Sequence, residues 1–185
     1  MILEFDLAEP TASQGFRGRF EAWLEAQGIN HFKVHELADA GRLTSVPRGD
    51  DEASSRARDS MEAVIGGPLP PTARFVRLAP PPAAIWDDAL PLLRLLGQLR
   101  AETRAPLDVS SCYRDDLYNA AVGGAPHSTH RRFIAADIQS REWSPKKVAD
   151  WLEAHSDAGR FGIGRYRTFT HIDTRGTAAR FGRAA

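Results

Sequence analysis

The 185-residue chain holds one cysteine, Cys112. An internal disulfide is therefore excluded, and so is a cysteine-built zinc site. Any metal bound here has to be held by imidazole and carboxylate. No stretch reaches the roughly 18 apolar residues of a membrane span, and the opening MILEFDLAEPTASQGF has no basic segment running into an apolar one. The sequence as written therefore predicts no membrane helix and no leader, and hence a cytoplasmic location. Net charge is missing too: 24 Lys and Arg balance 24 Asp and Glu, which removes the basic excess that marks a nucleic-acid or anionic-membrane binder. What is present is an ordinary globular mix, 42% apolar and 26% charged, enough to bury a sizeable core.

The chain reads as a single domain over 1–185. Within it, 1–67 is a helical segment with an exposed loop, 68–84 a proline-rich spacer, 85–176 the core that carries chemistry, and 177–185 a tail. Phe16, Phe20, Trp23 and Leu24 share one helical face, so 13–28 is predicted to be an amphipathic helix stopped at Gly28. Residues 39–60 are polar and broken by Gly and Pro, and are expected to be an exposed, mobile loop. Prolines crowd the stretch from Pro68 to Pro82 and leave room only for an edge strand at Phe75–Leu78. Leucines from Leu90 to Leu99 mark a central helix over 85–103, with Pro91 tolerated in its first turns. After it the pattern predicts strands at Leu107–Tyr113, Ile134–Gln139, Gly162–Tyr166 and Thr168–Thr174. Helices are expected after Asp115 and over Pro145–His155. This is an α+β arrangement, a small antiparallel sheet flanked by helices.

Residues 107–176 hold the informative chemistry. His130 and Asp137 are separated by six residues, and His171 lies 34 positions beyond Asp137. Two imidazoles and one carboxylate can thus converge from a loop and two strands, a ligand set that suits a tetrahedral zinc centre with an open fourth position. Spacing alone does not single out a metal in a chain with six histidines.

The order of residues around these three is more specific. Ser128, His130, Ala135 and Asp137 occupy their places in a Ser-x-His-x-x-Gly-x-Ala-x-Asp pattern, with Phe133 where the pattern has Gly. Phe169, His171 and Asp173 follow a closing Phe-x-His-x-Asp, preceded by Gly162–Tyr166 (GIGRY). Upstream stand Ser111-Cys112-Tyr113-Arg114, Tyr118-Asn119-Ala120 and the segment His31–Glu36. In these motifs, over residues 30–176, the chain resembles the zinc D-alanyl-D-alanine peptidase family. That family includes D,D-carboxypeptidases, dipeptidases, phage endolysins and murein endopeptidases, and it shares a fold with the hedgehog signalling domain.

The resemblance implies one zinc ion held by His130, Asp137 and His171. It further implies Arg114 as a fixed positive group for a carbonyl oxygen or carboxylate, and Ser128 and Tyr113 as substrate contacts. Many family members carry Asp or Glu three residues before the last ligand, where this chain has Thr168. Asp173, two along a strand from His171, is then either the general base or the partner that orients an imidazole. The implied activity is hydrolysis of D,D- or L,D-type bonds in peptidoglycan stem peptides or crosslinks by a monomer. The alternative is a zinc-containing module that binds cell-wall peptide or a protein partner without cutting. A peptidoglycan substrate implies action at the cell envelope or a phage-type release.

Other signals have plainer readings. His127 is expected to be polar loop surface or a substrate contact, not a ligand. Cys112 is expected to be a buried structural thiol, and His35–Asp39 lacks the second histidine of a helical HExxH motif. Arg160, Arg165, Arg167, Arg175, Arg180 and Arg183 read as a solvated face, with nucleic-acid binding a minor option that predicts salt-sensitive association.

Overall fold

The computed structural model describes residues 10–38 and 42–182. In chain order it contains α1 (Pro10–Ala26), α2 (Val34–Leu37), β1 (Leu43–Ser45), α3 (Glu52–Ile65), β2 (Phe75–Arg77), α4 (Leu90–Thr103), β3 (Leu107–Ser111), α5 (Asp116–Ala121), β4 (Ala135–Ser140), α6 (Pro145–Glu153), β5 (Gly162–Arg165), β6 (Thr170–Asp173) and β7 (Ala179–Phe181). The architecture is α+β. β1 and β2 form a small antiparallel ribbon, and the other five strands form one sheet in the order β3-β4-β6-β5-β7. One feature departs from the expected all-antiparallel sheet: β7 pairs with β5 in parallel. Part of the expected tail thus closes one edge of the sheet.

One face of the central sheet is apolar. Ala136, Ile172 and Ile163 lie opposite one another on β4, β6 and β5, and together with Ile138 they are almost completely buried. Because side chains alternate along a strand, this assigns the intervening residues to the other face. Leu92, Leu93, Leu95, Leu96 and Leu99 of α4 and Val148, Ala149 and Leu152 of α6 supply the rest of that core. Pro91 sits in the first turn of α4, where its missing N–H has no helical partner to lose. Ser144 caps α6 by accepting from Lys147 N at 3.2 Å.

The polar stretch 39–60 is only partly a loop. Residues 39–41 lie outside the described residues, but 43–45 form β1 and Glu52 begins the 14-residue helix α3. Asp51 caps that helix through Ser54 N at 2.9 Å, and Gly66 ends it with φ 72°. Only Ala57 and Met61 are buried along it, so its apolar stripe is too thin to stand out as a period. Local capping and helix-favouring Ala, Arg, Glu and Met do the work instead.

α1 brings Phe16, Phe20 and Leu24 inward. Phe20 meets Trp86 edge-on at 5.0 Å and reaches the Phe133 ring at 5.9 Å. Phe133 has φ 61°, the left-handed backbone that explains why the resembled pattern has glycine there. Here the phenylalanine accepts that strain, roughly 1–2 kcal/mol, and buries its ring completely between Phe20 and Tyr113.

Candidate metal centre

The second face of the sheet carries a polar row. Register places Ser111 of β3 opposite Asp137 of β4, Asp137 opposite His171 of β6, His171 opposite Gly164 of β5, and Gly164 opposite Phe181 of β7. Five neighbouring strands thus contribute one residue each to a single line across the sheet. His130 reaches the same point from the turn Thr129–Arg132, whose first N–H groups are capped by Ser128 Oγ (His130 N, 3.4 Å).

Three ligand atoms converge there. His130 Nε2 lies 3.3 Å from both His171 Nδ1 and Asp137 Oδ1, and His171 Nδ1 lies 2.8 Å from Asp137 Oδ1. The outer nitrogens decide the tautomers. His130 Nδ1 is 2.7 Å from the Cys112 carbonyl and His171 Nε2 is 3.0 Å from Asp173 Oδ2. Both partners only accept, so both outer nitrogens carry protons and donate. The inner nitrogens then offer lone pairs to each other and to a carboxylate oxygen, a cluster of acceptors that a shared cation neutralises. Two imidazoles, one carboxylate and no cysteine fit zinc with an open position.

The electrostatics differ between the two imidazoles. Burial lowers the His130 pKa below 6.5, against the pull of Asp137. Burial also acts to lower His171, but hydrogen bonds to Asp137 and Asp173 outweigh it and raise the value. Burial acts to raise Asp137, yet its contacts with the two imidazoles, which reward the charged carboxylate once either ring is protonated, hold it well below the carboxylate range. Its second oxygen accepts from Arg114 Nη2 at 2.7 Å, while Arg114 Nε donates to Ser111 Oγ at 2.7 Å. Arg114 is thus anchored at the head of the polar row.

Asp173 is fully buried. Its carboxylate accepts from His171 Nε2, from Arg175 Nε at 2.7 Å and Nη2 at 2.5 Å, from Arg175 N at 3.2 Å and from Thr129 Oγ1 at 3.4 Å. It does not line the cleft in front of the triad. Of the two sequence readings, the geometry matches the partner that orients an imidazole and leaves no free oxygen for a base. Gly162 backs this carboxylate: a Cβ there would lie 2.3 Å from Asp173 Oδ2.

The triad opens into a cleft of about 510 Å3 lined also by Arg114, His127, Ser128, Tyr166, Phe181 and Arg175. Tyr166 stacks on Phe169 at 4.4 Å, and Phe181 lies 5.2 Å from the His171 ring. Gly164 makes room for this aromatic wall, since a Cβ there would meet the Phe181 ring at 2.7 Å. Tyr113 is the one expected contact that does not reach the cleft. It is buried against Phe133, and burial pushes its hydroxyl up to about 12. The motif placed it next to Arg114, but β3 ends at Ser111 and the chain turns inward.

Sequence reasoning passed over Arg175, Gly162, Gly164 and Phe181. Arg175 was grouped with the other arginines, although its place two beyond Asp173 was a usable signal. Arg165 and Arg180 pair with Glu153, and Arg165 also with Asp150, while Arg183 lies outside the described residues. Burial drives the Cys112 thiol strongly up, with the Asp137 charge adding to it, which keeps it protonated and inert. Glu36 caps α2 through Lys33 N at 2.6 Å, a structural use of that motif-like segment.

The chain belongs to the Peptidase M15 family, whose model matches residues 74–173 and so takes in Ser111, Asp137, Gly164 and His171 of the row, with Arg114, His130 and Asp173, and stops short of Phe181. The family is zinc-dependent and its members are metallopeptidases, and among the described residues His130, Asp137 and His171 could hold one metal ion. No curated protein matches the chain. Among the described residues no helix is long and apolar enough to cross a membrane.

Proposed function

We propose that this zinc peptidase hydrolyses peptide bonds of peptidoglycan stem peptides or crosslinks, in a single domain with the hedgehog/D,D-peptidase fold. The observation that carries the reading is the polar row: register sets Asp137 beside His171, and the turn at His130 completes a set of three inward acceptors. His130 Nε2, Asp137 Oδ1 and His171 Nδ1 hold the metal. Zinc, when bound, supplies Lewis-acid polarisation of the scissile carbonyl and activation of water.

The chain's own groups do the remaining work. Cys112 O and Asp173 fix the two imidazole tautomers, and Arg175 holds Asp173 in place. Arg114 orients Asp137 with one N–H donor and is itself held by a second on Ser111 Oγ, and the others serve a substrate carbonyl or carboxylate in the cleft. Ser128 borders the same cleft. The aromatic wall of Tyr166, Phe169 and Phe181 offers an apolar surface to the short side chains of a stem peptide.

The test is incubation of the zinc-loaded protein with purified sacculi, with crosslinked muropeptides and with D-Ala-D-Ala, read by mass spectrometry. Released fragments with new termini at one bond type are expected. Full zinc occupancy with no cleavage of any of the three supports the second reading, a module that binds cell-wall peptide. That reading is favoured by one observation: among the described residues no carboxylate stands free in the cleft, because Asp173 is sealed and Thr168 replaces the expected acid.

A further inference from the structure

The cleft poses a chemical question, since peptide hydrolysis needs a group to take a proton from water and return it to the departing nitrogen. Nearly every ionisable side chain lining the cleft is already engaged. His130, Asp137 and His171 face one another as ligands. Arg114 holds Asp137 and Ser111, and Arg175 clamps Asp173. Tyr166 lies flat on Phe169, and a phenol offers a proton more readily than it takes one. Among the described residues that line the cleft His127 alone is left, an exposed imidazole that makes no hydrogen bond or ion pair with any described residue.

The backbone that carries it is held on both sides. The Ala125 carbonyl accepts from Asn119 Nδ2 at 3.0 Å and from Ser128 N at 3.0 Å. The Pro126 carbonyl accepts from Arg131, which is itself fixed by Asp116 Oδ1 at 2.6 Å. A Gly- and Pro-containing loop is thus pinned immediately before and after the histidine, while the ring itself is left unengaged. A merely solvated residue needs no such support, whereas a proton carrier beside a metal centre does.

We infer that His127 is the general acid–base residue of this peptidase, in the place of the missing carboxylate. The inference rests on the peptidase reading above. A nitrogen of His127 takes one proton as water adds to the scissile carbonyl carbon. When the C–N bond breaks, the same proton passes to the leaving nitrogen, so the products are a carboxylic acid and an amine, with no other reactant. The charged and titratable groups facing this imidazole are Arg114, Arg175, Asp137, His130, His171 and Tyr166 across the cleft, with the Arg131–Asp116 pair behind the loop.

The experiment uses zinc-loaded wild type, His127→Asn and His127→Gly on the muropeptide that wild type cleaves fastest. The expected result is a fall in kcat of about 100-fold or more in both variants, with KM and zinc stoichiometry unchanged. The acidic limb of the wild-type kcat profile is lost, and added imidazole restores turnover to His127→Gly. A readout independent of turnover is calorimetry with a phosphinate dipeptide, a mimic of the tetrahedral adduct, in buffers of different ionisation enthalpy. Wild type takes up one proton more on binding it than His127→Asn does. Variants that keep the wild-type rate, acidic limb and proton uptake overturn the assignment of His127 while leaving the peptidase reading intact. A wild-type protein that cleaves none of the substrates overturns both.

Discussion

Gly162→Ala is a one-carbon change behind the metal centre, and its sign is set by a single contact. In most strands, replacing glycine by alanine favours folding by roughly 0.5–1 kcal/mol, because the unfolded chain loses freedom. At position 162 the added methyl would lie 2.3 Å from Asp173 Oδ2 and 2.7 Å from its Cγ, far inside van der Waals contact. Asp173 cannot retreat, since Arg175 grips both oxygens and His171 occupies the third side. Overpacking of this kind costs about 1–3 kcal/mol, so the metal-free variant is expected to be less stable than wild type by about 0.5–2 kcal/mol in chemical denaturation. The second effect falls on the metal. Disturbing the partner that orients a metal-binding imidazole weakens affinity by about 10–100-fold, measured by competition with a chromogenic chelator. Gly159→Ala is the control, because nothing lies within 4 Å of a Cβ there. A Gly162→Ala protein more stable than wild type, or one that binds zinc within about twofold of it, would refute the proposed chain from Gly162 through Asp173 to His171.

Other outcomes follow from the same geometry. His130→Ala and His171→Ala each lose zinc by elemental analysis and activity with it, because each removes a donor that nothing adjacent replaces. Asp173→Asn keeps an acceptor for His171 and is expected to lower zinc affinity about tenfold without abolishing the acidic limb of the kcat profile. Loss of that limb would make Asp173 the base after all. Phe133→Gly relieves the strained φ of 61° but removes a buried ring worth about 3–5 kcal/mol. A net loss of about 2–3 kcal/mol is expected by denaturation, and a stabilised variant would show that the ring contributes little. In the folded protein Asp137 and Asp173 titrate below the ordinary 3.8. The stability they contribute is complete above about pH 4 and drains away as pH falls through their depressed values. The metal-free protein should therefore unfold progressively below pH 4, whereas His171, raised above 6.5, should let protons displace zinc already near neutrality in a pH-dependent metal titration.

The three residues that could hold a metal were legible because their types and order form a pattern that survives without any knowledge of shape. The roles around them were less so. Alternation along a strand told that Asp173 and His171 share a face, but not that Arg175 would fold back and seal the carboxylate. Tyr113 illustrates the opposite hazard: its neighbours in the motif reach the cleft, yet the strand stops at Ser111 and the ring turns into the core. α3 was hidden because a helix lying on the surface needs few apolar residues, and β7 because three residues at a sheet edge leave almost no periodic signal. Phe133 marked a departure from a glycine pattern, and the partner ring that compensates for it comes from α1, far away in sequence.

The alignment of the sheet has one more consequence. Asp137 and His171 sit on rungs that alternate with Ala136, Ile172 and Ile163. Were β6 to slide one residue along β4, Ile172 would turn out to the cleft and His171 and Asp173 would be driven into the oily interior. The burial that steadies the domain is therefore also the proofreader of its chemistry: a misthreaded molecule forfeits both at once, and metal uptake doubles as a gauge of whether the strands have found their true neighbours.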